Sequence, residues 1–161
     1  MLYTILELSN HITSHSLPAL PEETKLLHKV DTLSNPPPDP TTIDPPPLSA
    51  EILSPPTSPE FPTPYLYVTN RNDPSPEGDI LSIFDVQPEG SLKLIKEIRT
   101  GLNHLRGIAF DDEENKYLVA GGAIGNGVKI FERVDGGRDL KEIASLEDVQ
   151  SPTGFHWLPV A

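Results

Sequence analysis

Short apolar runs separated by turn residues make up most of this chain. Leu2 to Leu8, Tyr65 to Thr69, Ile80 to Val86, Leu92 to Ile98, Gly107 to Phe110, Tyr117 to Ala120, Val128 to Arg133 and Leu140 to Leu146 are rich in Ile, Val, Leu, Tyr and Phe. Turn residues bound them, among them Pro88-Glu89-Gly90, Asp111-Asp112 and Asp135-Gly136-Gly137. Runs of this length and composition predict β-strands. No stretch shows an apolar period of about 3.6 residues, so helix should be scarce.

Proline interrupts the pattern. Of 19 prolines, 14 fall between Pro18 and Pro64, with triplets at Pro36 to Pro38 and Pro45 to Pro47. Each removes a backbone donor and fixes φ, which excludes helix and central strand. Residues 35–64 therefore read as a disordered or polyproline II insertion, with one apolar island, Leu48 to Leu53, able to pair as a short strand.

Two stretches of strand repeat each other. Tyr65-Leu66-Tyr67-Val68-Thr69-Asn70-Arg71, Ile83-Phe84-Asp85-Val86 and Leu92-Lys93-Leu94-Ile95 align with Lys116-Tyr117-Leu118-Val119-Ala120-Gly121-Gly122, Ile130-Phe131-Glu132-Arg133 and Leu140-Lys141-Glu142-Ile143. Four short strands in about 50 residues is the period of a propeller blade. Thr4-Ile5-Leu6-Glu7 behaves as an earlier copy, and Ser151 to Trp157 resembles the approach to an inner strand at Leu105 to Phe110. The expected fold is all-β: a partial β-propeller of about three four-stranded antiparallel meanders. The expected division is a partial blade at 1–34, the insertion at 35–64, blades at 65–99 and 100–150, and the start of a closing strand at 151–161.

Leu2 to Asn10, Leu66 to Asp73 and Leu105 to Asp111 together resemble the last blades of the seven-bladed lactonase propeller family. That family includes 6-phosphogluconolactonases of the bacterial type and fungal carboxy-cis,cis-muconate cyclases. The resemblance implies that upstream blades are missing, that pairing with them would complete the ring, and that the isolated chain lacks the family activity, a lactone hydrolysis or a muconate cycloisomerisation. It also carries Glu7, Arg71 and Arg106 over as catalytic positions, with Leu105 where the family has proline. In the last copy Gly121-Gly122 replaces a charged pair and should offer backbone alone.

In a meander the approach to the inner strand and the loop after the second strand lie at one end. Glu7, Arg71 and Arg106 should therefore share one channel mouth. Arginines grip carboxylate or phosphate and a Glu moves protons, so the trio suits a small anionic substrate of the lactone or muconate type. His104 joins Arg71 and Arg106 as a substrate-binding candidate, because its proton exchanges near neutral pH. The same charges would also serve as an ion-pair ring closing any propeller mouth.

Composition narrows the alternatives. The chain has 24 acidic and 12 basic residues, a formal net charge of -12, which argues against nucleic acid and anionic membranes as partners. Without cysteine there is no disulfide, thiolate catalysis or Cys-ligated zinc, and the start lacks a basic signal region, so a cytoplasmic protein is expected. His11, His15, His28 and His156 lack metal-ligand spacing, Asp111 to Glu114 lacks the calcium-loop pattern, and Gly121 to Gly127 lacks the Lys and Ser/Thr of a phosphate loop. No metal or cofactor is expected. A propeller used only as a binding scaffold, or a ligand docking adaptor domains through Pro36 to Pro40 and Ser54 to Pro59, are the non-enzymatic alternatives.

Overall fold

The computed structural model describes residues 1–37 and 42–158. Parts of two expectations, Pro38 to Thr41 of the insertion and Pro159 to Ala161 of the closing strand, lie outside the described residues. Among the described residues, eleven strands form three antiparallel sheets in chain order. Sheet one holds β1 (Leu2–Leu6), β2 (His11–His15) and β3 (Leu26–Asp31). Sheet two holds β4 (Leu48–Leu53), β5 (Tyr65–Arg71), β6 (Ile80–Val86) and β7 (Leu92–Arg99). Sheet three holds β8 (Asn103–Phe110), β9 (Tyr117–Gly125), β10 (Val128–Val134) and β11 (Asp139–Leu146).

Sheet two is covered on both faces, which explains why β5 is buried almost throughout and opens with the apolar run Tyr65 to Val68. Alternation sends Leu66 and Val68 toward sheet one, where they pack with Ile12, Phe84 and Leu92. Tyr65 and Tyr67 go the other way and pack with Leu81, Ile83, Leu105, Leu118 and Phe131. Full burial of such a side chain is worth about 1.5–3 kcal/mol. These two cores stack the meanders face on face, as blades stack.

Three expectations need correction. Leu2 to Leu8 is not one strand: β1 stops at Leu6, and Glu7–Ser9 form a 3-10 turn that ends on Asn10 at φ 53°. The island at Leu48 to Leu53 does pair as a strand, as expected, but it belongs to a sheet rather than to an insertion between blades. It is the first strand of sheet two, paired to β5 from Leu48↔Arg71 to Leu53↔Tyr67, and its neighbours take part in the fold. Ser151 to Leu158 forms no strand; it lies beside β8, where Thr153 carbonyl occupies the space a Cβ on Gly107 would need and Trp157 Nε1 donates to Ala109 carbonyl at 3.4 Å. Strands β2 and β3 are also present where no strand was expected.

Two anchors hold the proline-rich stretch. Asn10 Nδ2 donates to Pro47 carbonyl at 2.8 Å, and its Oδ1 accepts from Ser49 N–H at 2.6 Å. Phe61, 2% exposed, lies under the Arg133 guanidinium at 3.9 Å. Arg133 is itself 3% exposed; Nε donates to Tyr67 hydroxyl at 2.9 Å and Nη1 to Asn115 carbonyl at 2.9 Å, with the Phe110 ring as a further wall. A cation wrapped in aromatic faces and satisfied by neutral acceptors bolts sheet two, sheet three and the tract together.

Candidate active site

The channel-end residues sit where the inner strands leave regular pairing. In β4 the register slips between Ser49 and Ile52, so Ala50 and Glu51 stand opposite Thr69. In β8 it slips on both sides of Leu105, at His104 and at Arg106. Bulges re-aim side chains at a cost in ladder bonding, and both complete sheets accept that cost at charged or titratable positions.

Leu105, fully buried, pins this part of β8 to the core, while His104 is half-buried and Arg106 exposed. Asp79 fixes the same turn from beneath. Its carboxylate is 1% exposed and accepts from Asp73 N–H at 2.8 Å and Leu105 N–H at 2.7 Å. Burial pushes the Asp79 carboxyl above its ordinary range, and the amides of Leu105, Asp73 and His104 pull against that.

Glu7, Arg71 and His104 come from three different segments and touch. Arg71 Nη2 donates to Glu7 Oε1 in a salt bridge, and Nη1 meets His104 Nε2 at 3.1 Å. His104 Nδ1 meets Asn72 Oδ1 at 2.8 Å. Arginine only donates, so Nε2 must accept and Nδ1 must carry the hydrogen given to Asn72. Burial, then the charges of Arg71 and Arg106, lower the His104 pKa against the pull of Asp79, and the ring is neutral at pH 7. Arg71 Nε is buried and has no hydrogen-bond partner among the described residues.

Arg106 completes the row electrostatically. It acts on His104 and on Glu51, whose carboxyl is raised by burial and lowered less by Arg106. Glu7, Arg71 and His104 are thus joined by contact, and Arg106 and Glu51 join them through charge alone. Glu51 and the supporting Asn72 and Asp79 were not anticipated. Glu51 sat inside a segment read as insertion, and the signal for it was the Leu48 to Leu53 island itself, which needs a place in a sheet.

Gly121 and Gly122 contribute no side chain here. A Cβ on Gly122 would strike Gly125 carbonyl, and one on Gly121 would lie 2.6 Å from the Phe155 ring. Among the described residues no group of three His, Asp or Glu is placed to hold a metal, and no helix is long and apolar enough to cross a membrane.

The fold has relatives among solved structures. A protein from Lactobacillus plantarum superposes with a TM-score of 0.73 at 20% identity, over 94% of this chain and 40% of that one. A periplasmic gluconolactonase of Pseudomonas aeruginosa superposes with a TM-score of 0.71 at 20% identity, over 94% of this chain and 37% of that one. This chain therefore spans about two-fifths of their length. No curated protein sequence matches it. The profile of the family described as "Lactonase, 7-bladed beta-propeller" matches residues 1–157, nearly the whole length, and the chain belongs to that family.

Proposed function

We propose that this chain carries one side of a site that binds and opens a sugar lactone. The observation that carries the reading is the Glu7–Arg71–His104 contact, built across sheets one, two and three from residues far apart in sequence. Membership in a lactonase family and the fold shared with a gluconolactonase support it.

Each group has a task in hydrolysis. Glu7 binds Arg71 through one carboxylate oxygen, its side chain is 51% exposed, and its second oxygen would take a proton from an attacking water. As that water adds to the lactone carbonyl, the exposed Arg106 guanidinium stabilises the developing oxyanion. The ring C–O bond then breaks, and the leaving alkoxide takes the proton that Glu7 removed from the water. Neutral His104 holds Arg71 without competing for its charge. The alternative family chemistry, muconate cyclisation, would engage both arginines with substrate carboxylates; Arg71 is already committed to Glu7, which favours the lactone.

The test is addition of gluconate, and of glucono-δ-lactone, to the 161-residue chain. Gluconate should shift the His104 ring resonances, and Glu7→Gln and Arg106→Ala should weaken that response. Any lactone turnover above the uncatalysed rate should fall by about 10²-fold in both variants. If neither compound affects His104 and no turnover occurs, the reading is wrong. The described residues form three sheets, against the seven blades named for the family, and binding without turnover is the result expected of one side of the site.

A further inference from the structure

A cavity of about 220 Å³ opens on the Asn72 side of His104. Its floor is Asn72, Asn103 and His104, and its outer wall is Ile43, Asp44 and Pro45 of the proline-rich stretch. The wall is tied down next to it: Asn72 Nδ2 donates to Pro46 carbonyl at 2.9 Å, and Asn10 holds Pro47. The space lies below the roughly 300–1,000 Å³ of a drug-sized pocket, on the scale of a monosaccharide.

The lining has a definite chemistry. Asn103 and Asp44 are exposed and offer an amide and a carboxylate to hydroxyl groups. Asp73 and Asp79 also border the space, with Asp73 paired to Arg99 at 2.7 Å and Asp79 spent on backbone amides. Among the described residues no Lys or Arg side chain lines it. The cavity therefore suits a neutral polyol and opposes a dianion, although Arg71 meets the other nitrogen of the imidazole.

We propose that this cavity is the subsite for the polyhydroxylated part of the lactone, and that its Asp44-bearing proline wall selects unphosphorylated sugars over phosphorylated ones. The inference rests on the lactone reading and names its substrate class. The ring carbonyl would face Glu7 and Arg106 while the hydroxylated tail lies against Asn103 and Asp44, where a terminal phosphate would meet the carboxylate.

The experiment titrates the chain with gluconate and with 6-phosphogluconate, which share a carboxylate and differ by the phosphate, reading the His104 ring resonances. The native chain should bind gluconate about ten-fold more tightly, the factor that about 1.4 kcal/mol of like-charge opposition produces. Asp44→Lys should erase or reverse that preference, and Asp44→Asn should fall between. Unchanged resonances of the β5 and β6 core would show each variant to be folded. If 6-phosphogluconate binds the native chain as well or better, or if the ratio ignores Asp44, the subsite is refuted while the lactone reading stands. If neither ligand moves His104, both fall together.

Discussion

Asn72 and His104 both hold left-handed backbone, at φ 64° and 60°, and face each other across a 2.8 Å hydrogen bond. Neither is glycine, so each conformation costs about 1–2 kcal/mol, and such outliers gather where a site needs a side chain in one place. Replacing His104 separates the two contributions. His104→Gly loses the contacts to Arg71 and Asn72 but relieves the backbone, whereas His104→Ala loses the contacts and keeps the strain. His104→Gly should be about 1 kcal/mol more stable than His104→Ala in urea unfolding, and neither should bind gluconate. Equal stabilities would mean that position 104 stores no strain.

The imidazole also reports its neighbours. Its pKa is lowered by burial and by Arg71 and Arg106, so in Arg71→Ala the ring should titrate at higher pH than in the native chain. Because the folded value lies below the unfolded one, this histidine supports the fold above its unfolded pKa, and that support is lost as pH falls through the folded value. NMR titration of the ring checks the order; a lower midpoint in Arg71→Ala would contradict the assigned geometry.

Glu51 answers to Arg106 in the same way. Burial raises its carboxyl and Arg106 opposes that, so Arg106→Ala should move the Glu51 titration further up. Side-chain carboxyl NMR with Glu51→Gln as the assignment control reads the shift. No movement would remove Glu51 from the row.

Tyr67 ties the interior to alkaline pH. Its hydroxyl donates to Gly137 carbonyl and accepts from Arg133, and burial pushes its pKa up to about 12. A folded value above the unfolded one gives stability that is fully present below the unfolded pKa and is lost as pH rises through the folded pKa. Stability should therefore decline between roughly pH 10 and 12, and the decline should be absent in Tyr67→Phe. Arg133→Met should cost about 1.5–3 kcal/mol, because it removes a hydrogen-bonded cation and leaves acceptors unmet.

Much of the fold was legible because the repeat imposes one strand pattern on unrelated residues. Ile80 to Val86 matches β6 to the residue, since its first five residues are buried on both faces and apolar but for Ser82. Strands β2 and β3 were not legible. His11–His15 has Ile12 as its single large apolar residue, and the chain ends of β2 are histidines that interact with Asp31 and Thr13. Their signal was the frame of the repeat, in which a β1-like segment must be followed by two more strands. The meeting of Glu7 and Arg71 followed from the family pattern, but the setting of His104, Arg106 and Glu51 did not. It depends on bulges at Ala50–Glu51 and around Leu105, which arise from inter-strand register and leave no periodicity to read.

The clamps at Pro47 and at Phe61 divide the proline-rich stretch into separate loops on either side of β4. Extra residues gained in one loop would be absorbed before reaching the strand ladder, and the other loop would not feel them. Evolution can therefore reshape the wall over His104 by lengthening or trimming the first loop while the second, seated under Arg133, stays the same.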